Sequence, residues 1–265
     1  MKSAVARAVV AVAVVAALGA SAACGSGGDG GGGGDGRGGD GGGGRKPSQG
    51  HSGPGTTALE RAALTAADLK GYRVERPDAA GGDAGAGPAA PPAGAPAPAA
   101  CAPLADPGRA ESPVTRVLTP TADKDLTTTD VALSAHTTAG AKRIIADLRA
   151  AADAEECAAF RMGEYRYLGV ERTRAPDRGD EAVSYRLGLR RGAYVLRKGV
   201  TVVRTGSTVA VFDASNLYDP EGVQNDRQAE QDGLGSTGTP TADQDPEVAA
   251  GIVDAQLGKL RPGTT

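Results

Sequence analysis

The residues best suited to chemistry in this chain are arginines. Residues 161–204 hold eleven basic and five acidic side chains, a net charge of +6, whereas residues 213–247 hold one basic and nine acidic, a net charge of −8. A guanidinium group is a planar donor that matches a phosphate or carboxylate with two parallel hydrogen bonds. Sequence alternation puts apolar residues on one face of the stretch 181–190 and arginines on the other. The candidate ligand-binding residues are Arg166, Arg186, Arg190 and Arg197.

Two interpretations of this basic stretch stay open on the sequence alone. In the first, the arginines form a solvated polar face of a sheet that the acidic stretch 213–247 partly covers. In the second, they recognise an anionic component of the cell envelope, such as a lipid head group or a wall polymer. We do not expect a nucleic acid as partner, because the N-terminus predicts export.

The sequence carries no recognisable catalytic motif. Gly-x-Ser-x-Gly, a phosphate loop, His-Glu-x-x-His and paired-cysteine zinc patterns are all missing from it. His136 has no acid or nucleophile placed beside it by sequence, which favours a surface or capping role. A cluster of oxygen-bearing residues lacks the glycine and the bidentate Glu of a calcium loop and favours loop capping: Asp213, Ser215, Asn216, Asp219 and Glu221. We therefore predict a protein that is not an enzyme and that needs neither a metal nor a cofactor.

The N-terminus has the layout of an export signal over residues 1–23. Lys2 and Arg7 precede an apolar run over residues 8–18, which at about eleven residues is shorter than a membrane span needs. The stretch Ser21-Ala22-Ala23-Cys24 resembles a bacterial lipobox, in which the cysteine thiol is acylated. The alternative is cleavage after Ala20-Ser21-Ala22 by the general signal peptidase, which releases a secreted chain.

The cysteine count favours the lipid anchor. The chain has three cysteines, so an exported protein would leave one thiol unpaired. If Cys24 carries a diacylglycerol, its two acyl chains anchor the protein stably in the membrane. Cys101 and Cys157 then remain, and we predict that they form a structural disulfide rather than a redox or metal pair. The predicted location is the extracytoplasmic face of the cell membrane, and secretion is the alternative.

Low-complexity stretches divide the chain into segments. A Gly-rich run cannot bury enough apolar surface to offset its conformational entropy, and a spacer of some thirty residues spans on the order of 30 Å. The predicted organisation is an export signal (1–23), the lipid-anchor cysteine with a disordered spacer (24–57), a lead helix (58–78), a flexible Ala/Pro-rich insertion (79–100) and a folded domain (101–262).

Periodicity in the folded domain predicts an α+β architecture. Apolar residues at helical spacing predict a helix over 138–157 that Thr138 caps, and a second helix over 246–260 with Asp245 as its N-cap. Strand signals separated by turn residues predict antiparallel neighbours over residues 131–135, 164–172, 181–190, 193–204 and 208–212. We expect an antiparallel sheet of about five strands packed against two helices, preceded by a disordered tether.

Several of these features together resemble a known class of proteins. They are the lipobox-like cysteine, the spacer, the stretch LTAADLKGYRV (64–74), a cysteine near Pro103 and Leu104, an Ala-rich helix leading to Cys157, four strands and a C-terminal helix. This arrangement resembles small actinobacterial surface lipoproteins, some of which are similar to the extracellular sensor domain of the PknH-like receptor kinases. The resemblance covers residues 64 to about 260 as a pattern. The sensor domain usually holds two disulfides, and this chain can make one.

The resemblance implies a ligand-binding or sensory role without a transferable active site. We therefore expect a monomeric, lipid-anchored and non-catalytic binding domain. Two alternatives are a protein-interaction module of the cell envelope and an envelope enzyme whose site is assembled from residues far apart in sequence.

Overall fold

A computed structural model describes residues 54–77, 94–108, 110, 113–122 and 126–261. The predicted export signal, Cys24, most of the spacer and most of the Ala/Pro-rich insertion lie outside these described residues. Across these ranges, no helix has both the length and the apolar character that a membrane crossing requires.

The described part of the chain forms an α+β fold built on one antiparallel sheet of nine strands. The strand order across the sheet is β1-β3-β4-β9-β8-β7-β6-β5-β2. The strands are β1 (Tyr72–Glu75), β2 (Pro96–Ala97), β3 (Val114–Pro120), β4 (Thr128–Ala135), β5 (Ala159–Met162), β6 (Tyr165–Thr173), β7 (Glu181–Arg191), β8 (Tyr194–Thr205) and β9 (Thr208–Tyr218). The α+β class is thus as predicted, but the sheet is larger than the five strands expected.

Five α-helices accompany the sheet in the described ranges. They are α1 (Pro54–Ala62), α2 (Ala102–Ala105), α3 (Thr138–Asp153), α4 (Pro220–Gln231) and α5 (Ala250–Leu260). Helix α3 packs against one face of the sheet, and its buried side chains join a core with the inward residues of β7 and β8. Helices α1 and α5 pack against the other face over β3, β4 and β9. Strands β8 and β9, in the middle of the sheet, therefore contribute to a helix-covered core on each face.

The disulfide Cys101–Cys157 ties the chain before α2 to the end of the α3 region. Its sulfur atoms lie 2.03 Å apart, and both cysteines are buried in the α3 core. This pairing confirms the predicted disulfide. With a sequence separation of 56 residues, the cross-link would contribute roughly 4 kcal/mol on the chain-entropy model.

The segment before the folded domain differs from the predicted lead helix over 58–78. Helix α1 ends at Ala62, and a turn follows in which the Thr65 amide and hydroxyl both donate to Asp68 Oδ2 at 2.7 Å. The Asp68 amide in turn donates to the Thr65 carbonyl oxygen, so these contacts close a single turn and not a long helix. Gly71 has a φ of +82°, which favours glycine, and leads into strand β1.

Three predicted boundaries are wrong. The insertion expected over 79–100 gives way at its C-terminal end to strand β2, which pairs with β5. Helix α3 is capped by Thr137 rather than Thr138, because the Thr137 hydroxyl accepts from the Gly140 amide. Helix α5 begins at Ala250 rather than Pro246, and Asp245 does not cap it.

Candidate functional site

Strand register brings three arginines side by side on one face of the sheet. Arg161 on β5 lies directly opposite Arg166 on β6, and Arg166 lies directly opposite Arg190 on β7. Directly opposed residues project to the same face with Cβ atoms about 5 Å apart. All three side chains are exposed. We call Arg161, Arg166 and Arg190 the arginine row.

The arginine row has no counter-ion within the described residues. None of its three guanidinium groups forms an ion pair or a hydrogen bond there, although the chain has 32 acidic and 29 basic residues. Like charges directly opposite each other on neighbouring strands destabilise a sheet. The row is therefore a concentrated positive charge that a bound anion would relieve.

The other two predicted arginines lie apart from the row. Arg186 on β7 donates from Nη2 to Glu171 Oε2 at 2.6 Å and from Nη1 to Asp245 Oδ2 at 2.7 Å. The hydrogen bond with Glu171, together with the neighbouring negative charges, raises the pKa of Arg186. Arg186 therefore already has two carboxylate partners in the folded chain.

Arg197 on β8 is buried under the segment that connects α4 to α5. Its Nε donates to Asn216 Oδ1 at 3.1 Å, and its Nη1 donates to the carbonyl oxygens of Thr241 at 2.7 Å and Ala242 at 3.0 Å. Burial lowers the pKa of Arg197. Its guanidinium lies 5.4 Å from the ring centroid of Tyr218. This arginine thus anchors a loop and does not face an open surface.

Residues 232–249 connect α4 to α5, and we call them the acidic segment. This segment lies over Arg197, and its Asp245 pairs with Arg186. Its backbone passes so close to β8 that a Cβ atom on Gly199 would lie 2.2 Å from the Pro246 carbonyl oxygen. The two interpretations left open by the sequence therefore apply to different arginines. Arg197 is buried under the acidic segment, and Arg186 stays exposed but pairs with Asp245 of that segment, whereas Arg166 and Arg190 lie in the open row.

A second charged group lies on the opposite face of the sheet, and sequence reasoning missed it. Asp130 on β4 is directly opposite Asp213 on β9, and Lys198 Nζ on β8 donates to Asp213 Oδ2. Burial and the nearby charge of Asp213 raise the pKa of Asp130 to about 6. Burial alone would lower the pKa of Lys198, but the charge and hydrogen bond of Asp213 outweigh it and raise that pKa. We call these three half-buried residues the charge cluster.

The oxygen-bearing residues 213–221 do not form one site. Strand β9 extends to Tyr218, so three of them lie in the strand and not in a loop after it. Asp213 pairs with Lys198 and Asn216 with Arg197. Asp219 caps α4 by accepting from the Glu221 amide at 3.0 Å, as loop capping predicts.

A recess of about 440 Å³ lies beside the acidic segment. Its lining is largely polar and includes Leu126, Thr127, Asn216, Thr239, Thr241 and Asp245. No member of the arginine row lines it. The row is therefore part of an open surface and is separate from this recess.

Comparison with known proteins adds no relative. No family model matches the chain, and no curated protein matches it significantly.

Proposed function

We propose that this protein is a lipid-anchored domain on the extracytoplasmic face of the cell membrane that binds a phosphate-bearing component of the envelope through its arginine row. It acts by binding and is not an enzyme. The observation that carries this proposal is the uncompensated row of Arg161, Arg166 and Arg190 on three neighbouring strands.

The geometry of the row suits a ligand with repeated phosphates better than a single small anion. Neighbouring strands lie about 4.8 Å apart, so the three guanidinium groups extend along a line and do not converge on one point. Each can form a forked, charge-assisted pair with one phosphate group. A polymer or a lipid surface presents several phosphates at once, and the contacts then reinforce one another.

The resemblance to extracellular sensor domains supports a recognition role. The lipobox-like Cys24 and the export signal support a position in which envelope phosphates are within reach. Arg186 and Arg197 already bind partners within the fold, so neither is part of the proposed binding site.

The test uses the mature chain from residue 24 with Cys24→Ser, so that no lipid is attached. Binding to a soluble glycerol-phosphate polymer is measured against salt concentration for this chain and for the triple variant Arg161→Gln, Arg166→Gln, Arg190→Gln. Because three charge-assisted contacts are lost, we expect binding to weaken about tenfold or more and its salt dependence to flatten.

A matched control removes the same charge elsewhere. The variant Lys142→Gln, Arg143→Gln, Arg174→Gln changes three exposed basic side chains outside the row and should bind within about twofold of the parent, since long-range effects are screened. Equal weakening of both triple variants would mean that net charge, and not the row, governs binding. Unchanged binding of the row variant would overturn the proposal.

A further inference from the structure

The same end of the sheet carries exposed apolar side chains on its other face. Tyr194 and Leu217 are 45% and 48% exposed and are two of the four exposed large apolar residues in the described part of the chain. Leu196 lies directly opposite Leu217 and shares a face with Tyr194, two residues away on β8. We call Tyr194, Leu196 and Leu217 the apolar rim.

The arginine row, on β5 to β7, and the apolar rim, on β8 and β9, lie at the same end of the sheet. Arg190 belongs to the row, and the next residue, Arg191, lies directly opposite Tyr194 of the rim. Arg191 also lies 5.5 Å from the ring centroid of Tyr165. The β5–β6 and β7–β8 turns, at Gly163 and Gly192, close this end of the sheet. At this end of the sheet, one face thus carries the arginine row, and the other carries the apolar rim together with Arg191.

Arginines beside exposed tyrosine and leucine side chains are typical of a surface that binds a membrane interface. Tyrosine rings are enriched at the head-group level because they have an apolar body and a polar tip. Arginine side chains extend their apolar stems along the interface and keep the guanidinium at the phosphates. Anionic lipids add an attractive surface potential for basic residues close to the membrane. A soluble polymer would use the row but would leave the rim without a role.

We infer that the end of the sheet formed by the β5–β6 and β7–β8 turns docks onto an anionic lipid bilayer, with the arginine row on lipid phosphates and Tyr194 and Leu217 entering the head-group boundary. This inference rests on the proposed function, since it names the bilayer as the source of the phosphates. Pro54 follows Cys24 by thirty residues, and a Gly-rich chain of that length spans on the order of 30 Å. The anchor and the docking surface can therefore reach one membrane.

Vesicle binding tests the inference directly. The mature chain with Cys24→Ser is mixed with vesicles of phosphatidylglycerol and phosphatidylcholine, and the bound fraction is measured by co-sedimentation. The variant Tyr194→Ser, Leu217→Ser should bind these vesicles about tenfold more weakly, because its apolar contacts are lost. Its binding to the soluble glycerol-phosphate polymer should stay unchanged. Leu234→Ser is the matched control, because Leu234 is 67% exposed outside the rim, and it should bind vesicles like the parent.

A fluorescent reporter gives a second, independent readout. The chain contains no tryptophan, so Tyr194→Trp introduces a single indole at the rim. Its emission should shift to shorter wavelength with anionic vesicles and should be quenched by brominated lipids. An unshifted emission, together with parental vesicle binding by Tyr194→Ser, Leu217→Ser, would overturn the docking inference. If polymer binding still depended on the row, the proposed function would stand, whereas loss of that dependence would reject both.

Discussion

Asp130 is a carboxylic acid whose ionisation the fold opposes. It lies opposite Asp213 across β4 and β9, and burial with that neighbouring charge raises its pKa from 3.8 to about 6. Between these two pH values the folded chain holds a proton that the unfolded chain has released. Stability therefore falls as pH rises through this range, and the loss is complete above the folded pKa.

Asp130→Asn should remove this penalty. At pH 7.5 we expect the variant to be more stable than the parent by on the order of 2 kcal/mol, since its amide carries no charge to bury. The difference should shrink as the pH falls below 6, be small near pH 4, and vanish below about pH 3, where Asp130 is protonated in both the folded and the unfolded state. Urea unfolding of both proteins at pH 7.5, 6 and 4 measures it.

Asp177→Asn serves as the control for this pH series. Asp177 is exposed, so its replacement should leave the free energy of unfolding nearly unchanged at all three pH values. A less stable Asp130→Asn protein at pH 7.5 would contradict the account. It would mean that the attraction between Asp130 and Lys198 outweighs burial.

At the scale of elements, the acidic segment is held to the sheet by a backbone contact that only glycine permits. In Gly199→Ala the new Cβ would lie 2.2 Å from the Pro246 carbonyl oxygen, so the segment must move. The contacts of Asp245 with Arg186 and of Thr241 with Arg197 would loosen with it. We expect a loss of about 1 to 3 kcal/mol of stability and faster amide hydrogen exchange over residues 239–249.

Gly251→Ala is the matched control for that substitution. A Cβ atom on Gly251 would meet nothing within 4 Å, and the residue lies in helix α5. Alanine favours a helix over glycine, so this variant should be as stable as the parent or slightly more so. If Gly199→Ala left exchange in the acidic segment at the parental rate, the contact would not be what holds the segment.

The elements that the sequence predicts well are those with strong local signals. Strands β7 and β8 begin and end within one residue of the predicted limits, because a Gly-containing turn separates two alternating runs. Strand β3 was missed because Arg116 occupies an inward position, where it pairs with Glu60, and so breaks the apolar alternation. Strands β1, β2 and β5 have four residues or fewer, too few to show a period.

The candidate site was only half predictable for a related reason. Alternation along one strand correctly separated the arginines of β7 from its buried face, but the pairing register that aligns Arg161, Arg166 and Arg190 is a property of three strands together. Asp245 precedes Pro246 and so has the local sequence of a helix cap. Its tertiary contacts with Arg186 and Arg197 override that signal.

For the whole molecule, the proposed function depends on where the domain is held, and the anchor that we propose is Cys24. If this thiol carries diacylglycerol, the parent protein expressed in an actinobacterial host should incorporate a palmitate analogue and sediment with membranes. Cys24→Ser should lose the label and appear in the medium, because the domain would have no lipid chains to hold it. Ser21→Leu, which brings the stretch closer to the common lipobox, should keep both the label and the membrane fraction.

An unlabelled parent protein whose intact mass corresponds to a chain beginning at Ala23 would instead show release by the general signal peptidase. The arginine row would then act from solution, with only its own contacts to hold the domain at the membrane.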